Sequence, residues 1–332
     1  MAKLRKILDL FLTIITKNDF FKESISFLFL FTLTKNPMKK ITLSLLCLVG
    51  VCLVYSSCFA LEKSTIFVSI LPQKFFVEKL IGNALTIEVM VPPGANPVTY
   101  EPKPSQMRAL SKADAYFSIG VPFERSWLTK LMAMNSSMIL VQTDNNIKKM
   151  MLPRGHSHNH DGHSHVEESG TNADPHIWLS PQLVIEQLAT TKTALQKLFP
   201  QYTKRIEENH SIFLKEIAEV QRQIRQTLKG KKDYPFLVFH PSWGYFAKEF
   251  DLHQISVEIE GKEPKPSQLS QLIQICQQNE IHVIFAQPQF STKSAQLIAR
   301  EIKGKVLLID PLKEDWLSNM LYVAKQFQHA VN

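Results

Sequence analysis

The chain has 332 residues, 45% of them apolar and 20% charged, which excludes a disordered or collagen-like chain and suffices for one large core or two modest ones. Its formal charge is +8, but residues 1–60 hold eight basic side chains against three acidic ones, and the remaining 272 carry 30 against 27. The basic character therefore belongs mainly to the N-terminus, and nucleic acid is not expected as a partner.

Met38-Lys39-Lys40 opens a run that stays apolar from residue 41 to Ala60. A short basic start, an apolar stretch and a small final residue make a secretory signal, with cleavage after Ala60 and an exported product. The alternatives are a retained membrane anchor, since the run is close to spanning length, and lipid attachment at Cys58, to which Tyr55 is a poor fit. A second apolar run, 25–33, precedes Met38. The expectation is that translation starts at Met38 and that residues 1–60 stand outside the fold. Cys47, Cys52 and Cys58 lie in this region and leave Cys276 alone, so the exported chain has no intramolecular disulfide.

Beyond Glu62, apolar runs at 65–70, 86–91, 114–119 and 138–141 read as strands, with helices at 72–81, 104–113 and 123–134 between them. Such alternation builds a sheet with helices on both faces. The polar stretch 144–174 breaks the rhythm and reads as a loop. A helix is expected over 181–198, then a long one over 202–228, with Ile206, Ile212, Phe213, Ile217, Val220 and Ile224 on one side. At ~1.5 Å per residue this long helix reaches about 40 Å, enough to join two lobes; the alternative is a surface helix of one large domain. After Gly230, strands at 236–239, 254–257, 282–285 and 305–309 alternate with helices at 266–279, 291–302 and 319–329.

The histidines carry the chemistry. None of the eleven precedes His156, and five fall within ten residues: His156, His158, His160, His163 and His165. Many imidazoles on a polar loop suit exchangeable capture of a borderline metal such as Zn²⁺; a solvated low-complexity loop is the alternative. His176 lies just before a helix, His240 at the end of a strand, and Asp310 at the end of the last strand. Strand C-terminal ends are where open α/β sheets place ligands, and two imidazoles with a carboxylate make a sufficient shell for Zn²⁺ or Mn²⁺. Taken singly, each is also an ordinary structural hydrogen-bonder. No phosphate-binding loop, nucleophile elbow or H-E-x-x-H occurs.

Five motifs in order resemble the solute-binding proteins of zinc and manganese ABC importers, the zinc-uptake branch especially. They are Val91-Pro92-Pro93-Gly94-Ala95-Asn96-Pro97 with Tyr100-Glu101-Pro102; Asp174-Pro175-His176-Ile177-Trp178-Leu179; Phe239-His240 with Trp243-Gly244-Tyr245-Phe246; Phe285-Ala286-Gln287-Pro288-Gln289-Phe290-Ser291; and Ile309-Asp310-Pro311-Leu312. The resemblance covers about 65–330. It implies a bilobed α/β fold: an N-terminal lobe over 61–201 that includes the histidine-rich loop 144–174, a rigid connecting helix over 202–229, and a C-terminal lobe over 230–332. It also implies a metal held between the lobes by His176, His240 and Asp310, a monomer, and a membrane permease with its ATPase as partners.

The sequence departs from the family at Val98, where the pattern has a histidine after Pro97. A water, Glu101 or a histidine of the loop is left to fill that position, and Glu101, three residues away, is the first choice. The acidic run 258–263 supplies either a further ligand or a solvated edge. Zinc is favoured over manganese or iron by the imidazoles; an oxygen-richer shell reverses the preference. The readings from other classes are a metal buffer that works through its loop and, last, a metallohydrolase with an open metal position.

Overall fold

The structure, a computed structural model, describes residues 63–152, 173–258, 262 and 264–330. The expected leader with Cys58, the five histidines of 156–165, and Glu260 and Glu263 of the acidic run lie outside them.

Two four-stranded parallel sheets form the frame. The first contains β1 (Thr65–Val68), β2 (Thr86–Val89), β3 (Ala115–Ser118) and β4 (Ile139–Gln142) in the order β2-β1-β3-β4. The second contains β5 (Tyr234–Val238), β6 (Leu252–Ser256), β7 (Val283–Ala286) and β8 (Lys305–Leu308) in the order β6-β5-β7-β8. The inner strands β3 and β7 are buried at every residue, as expected where helices cover both faces. The edge strands β4 and β8 each leave one apolar residue, Ile139 and Leu308, exposed.

Helices α1 (Leu71–Ile81), α2 (Pro104–Leu110) and α3 (Pro122–Met134) belong to the first sheet, and α6 (Gly244–Glu249), α7 (Pro266–Gln278), α8 (Lys293–Glu301) and α9 (Trp316–Ala330) to the second. Between them come α4 (Pro181–Leu198) and the long α5 (Thr203–Thr227). Four of these helices, α1, α2, α3 and α7, carry proline in the first turn, where a missing N–H costs nothing; α4 does so too, and the Ser180 hydroxyl accepts from Leu183 N–H as its cap.

Element ends fall within a few residues of expectation, with two instructive differences. The six-residue α6 is not foreseen, because it is too short to show helical periodicity. The last helix begins at Trp316 rather than at 319, because its first residue is held by tertiary contacts. The Trp316 indole packs edge-on against Phe76 with centroids 5.5 Å apart, and its N–H donates to the Trp178 carbonyl at 2.6 Å.

The 25 residues of α5 extend about 38 Å. This helix packs on α1 and α4 and on α9 of the second sheet, burying Ile206, Phe213, Ile217, Val220 and Ile224. Ile212, expected on that side, is exposed instead. Lys79 of α1 pairs with Glu216 of α5 at 2.7 Å, and Asn209 donates to the Leu80 carbonyl at 3.0 Å. One apolar core runs through both lobes, and a smaller one, with Leu237, Ile284 and Ile298, lies within the second. The lobes are also tied directly: Lys74 pairs with Glu314, and the Trp178 N–H donates to the Pro311 carbonyl at 2.7 Å. Among the described residues no helix is long and apolar enough to cross a membrane.

Candidate metal centre

In the second sheet the strand order reverses between β5 and β7, the place where open parallel sheets bind ligands. The residue leaving β5 there is His240. Val238 stands opposite Ser256 of β6, so His240 and Glu258, each two residues further on, emerge side by side. His240 Nδ1 lies 2.6 Å from Glu258 Oε2, and Glu258 is buried. Glu258 is thus neither a solvated edge nor a direct neighbour of the cavity; it braces an imidazole.

His176 lies in the described segment that begins at residue 173. Asp174 N–H donates to the Met150 carbonyl at 2.8 Å. The Tyr245 hydroxyl donates to the Asp174 carbonyl at 2.9 Å and accepts from Met150 N–H at 2.8 Å, so a tyrosine of the second lobe fixes both chain segments. Asp174 Oδ1 then accepts from His176 N–H at 2.9 Å and from its Nδ1 at 2.7 Å.

A carboxylate only accepts, so each Nδ1 donates to its carboxylate and each Nε2 is the nitrogen turned away from it, the arrangement of a metal-ligating histidine with an outer carboxylate. The two rings meet edge to face at 5.4 Å; Trp178 flanks His176 at 5.2 Å and Phe290 stacks on His240 at 5.1 Å. Burial holds the His176 pKa below the ordinary value, with Asp174 pulling the other way and His240 adding to the depression. Its ring is neutral at neutral pH, the form that binds a divalent cation.

The two rings line a cavity of about 70 Å³ together with Val98, Gln287, Gln289 and Phe290. Val98 brings an aliphatic group to this cavity and is 52% exposed. The turn that carries it is tied down by Val98 N–H donating to Asn96 Oδ1 at 2.8 Å and Phe123 N–H donating to the Pro97 carbonyl at 2.9 Å. Glu101 is exposed and does not line the cavity. Asp310 lines two neighbouring cavities. Its Oδ1 accepts from Gln289 Nε2 at 2.7 Å and from Leu312 N–H at 2.9 Å, so one glutamine separates it from the histidines. Among the described residues no three His, Cys, Asp or Glu side chains form a metal cluster; the geometric nucleus is the imidazole pair.

Sequence reasoning misses the bracing roles of Asp174 and Glu258 and the two glutamines. Asp174 has a local signal, two positions before His176. Glu258 has none without the strand register.

Two parallel sheets spanned by one helix, with paired imidazoles at a cavity between them, define a bilobed α/β solute-binding protein. The chain belongs to the ZnuA family, described as zinc-uptake complex component A, periplasmic, which matches over residues 66–330. A crystal structure of ZnuA is 40% identical and superposes with a TM-score of 0.73, covering 82% of this chain and 100% of that one. A ZnuA deletion mutant with zinc bound is likewise 40% identical, with a TM-score of 0.74, covering 82% and 99%. The zinc-binding protein AdcA of Streptococcus pyogenes serotype M3 is 24% identical over 249 residues, 72% of this chain and 48% of AdcA. The chain thus spans about half the length of the curated relatives it matches first.

Proposed function

We propose that the protein is the binding component of a metal ABC importer that captures Zn²⁺ between its lobes and hands it to a permease and ATPase at the inner membrane. The observation that carries the reading is the pair of imidazoles, each with Nδ1 held by a buried carboxylate and Nε2 left for an ion, beside one interlobe cavity. The family and the zinc-bound ZnuA mutant support zinc as cargo; Mn²⁺ is the second reading, favoured to the extent that oxygen donors complete the shell.

His176 and His240 make the first bonds, at ~2.0–2.1 Å for zinc. Asp310 joins them through Oδ2, while its Oδ1 stays with Gln289 Nε2 and Leu312 N–H. Glu101 requires a movement of the 98–101 turn to take part. The lobes we assign to 61–201 and 230–332, with the exported chain beginning after Ala60 and free in the periplasm as a monomer, lipid attachment at Cys58 being the alternative. Residues 156–165 act as an auxiliary collecting loop.

Calorimetry on the exported chain, with and without residues 150–170, tests this reading. The expected result is one tight zinc equivalent in both forms, abolished by His176→Ala or His240→Ala. Weak, multiple binding that vanishes with the loop would make the chain a metal buffer instead.

A further inference from the structure

Two imidazoles and the Asp310 carboxylate do not complete the shell of a divalent cation, and Val98 offers no donor. Two side chains that border the same cavity each carry a buried oxygen with no assigned work. Gln287 is 2% exposed, and its Nε2 donates to the His240 carbonyl at 3.3 Å and to Ser242 Oγ at 2.6 Å. Because a carbonyl can only accept, the amide orientation is fixed, and Oε1 is the free end. Gln289 is fixed in the same way, since its Nε2 serves the carboxylate of Asp310. Both Oε1 atoms are buried without a hydrogen-bond partner among the described residues, and both residues line the cavity with His176 and His240. A buried amide oxygen left unpaired is unfavourable, so two on residues that border one cavity call for an occupant that donates to them.

We infer that Gln287 and Gln289 hold the water ligands of the bound cation, so that this site takes a partly hydrated divalent ion in place of one stripped by a third imidazole. The inference rests on the proposed metal site. A metal-bound water is a strong donor, because the ion draws charge from its O–H bonds. An amide oxygen accepts that bond and supplies no proton or charge of its own. The outer partners of a metal site set affinity as well as orientation. The two glutamines therefore set specificity: they favour ions that keep water and tolerate oxygen, and they lower the penalty for the missing histidine.

The test uses protein secreted with its own N-terminal region and purified from the periplasm. Zinc affinity is measured by competition, and cobalt absorption reports the coordination shell. Gln287→Met, close in size but without the acceptor, is expected to bind zinc at least about tenfold more weakly and to change the cobalt spectrum. Gln287→Glu keeps an oxygen acceptor but loses the amide that braces His240, and is expected to return to within about threefold of the parent. Gln289→Met at the less buried neighbour is judged by the same tenfold line and decides the matter if Gln287→Met does not fold.

The inference is overturned if Gln287→Met and Gln289→Met bind within about twofold of the parent with an unchanged cobalt spectrum. It is also overturned if Gln287→Met and Gln287→Glu are equally weak, which would make bracing of His240 the whole role. His176→Ala separates the two levels. If it too binds like the parent, the metal-site reading has failed; if it loses zinc while the methionine variants do not, only the role of the glutamines has.

Discussion

The two lobes share one sheet order and one switch point, yet they finish those switch points differently. In the N-terminal lobe the crest between β1 and β3 is closed by Glu124. Its carboxylate accepts from Ser69 Oγ at 2.5 Å, from Ile119 N–H at 2.9 Å and from Gly120 N–H at 2.8 Å, and Tyr116 completes the group through Ser69. Gly120, at φ 86°, leaves room there for the Lys149–Asp144 pair, which a side chain would strike. In the C-terminal lobe the corresponding crest carries His240 and Gln287, and the carboxylate, Glu258, stands behind the imidazole. One lobe spends its buried acid on its own backbone, the other on a side chain that faces the cavity. The same topology thus yields a wall on one side and an anchor on the other.

The largest expected effect tests whether the two lobes are one folding unit at all. Trp316→Ala removes a buried ring from the core they share and a bond to Trp178, and should cost about 3–5 kcal/mol in urea unfolding monitored by circular dichroism. The transition should remain single; two separated transitions would show that wall and anchor fold independently.

Next is the acid of the wall. Burial raises the Glu124 pKa from 4.5 to about 7. A raised carboxyl binds its proton more tightly in the folded state, so its contribution is fully present below pH 4.5 and is lost as pH rises through 7. The loss amounts to about 3 kcal/mol. Unfolding free energies measured between pH 5 and 8 should show this fall in the parent and a flatter profile in Glu124→Gln.

The acid of the anchor should behave in the opposite manner. Glu258→Ala frees the His240 ring and should weaken zinc binding about 10–100-fold, whereas Glu124→Gln should leave zinc affinity within about twofold, since it touches no ligand. Equal losses in the two variants would erase the distinction between the lobes. The smallest effect belongs to the partly exposed tie between α1 and α5: Lys79→Met should change stability by no more than about 1 kcal/mol, read from the urea midpoint.

Much of this architecture is legible in the sequence, because strands and helices announce themselves by local periodicity. The long helix was expected over 202–228 and is found at Thr203–Thr227, for its apolar stripe repeats over seven turns. His240 at a strand end and His176 before a helix are legible for the same reason. What escapes is whatever depends on partners distant in sequence. The pairing of His240 with Glu258 needs the β5–β6 register, the reciprocal tryptophan bonds need the lobes assembled, and the separation of Asp310 from the histidines depends on the rotamer of one glutamine. Ile212 faces out against expectation because a helix of this length has positions at the border of its stripe, and only packing decides which way they fall.

The reciprocal bonds of Trp178 and Trp316, with α5 lying along both lobes, have a kinetic consequence. A frame held at a shared core cannot open widely without breaking that core, so an arriving ion meets a chamber already shaped. For the capture proposed above, little chain entropy would then be lost, and most of the cost would fall on the ion's own water. On the same proposal, release needs only local movement at the 94–98 turn and at Gln289, not a levering apart of the lobes.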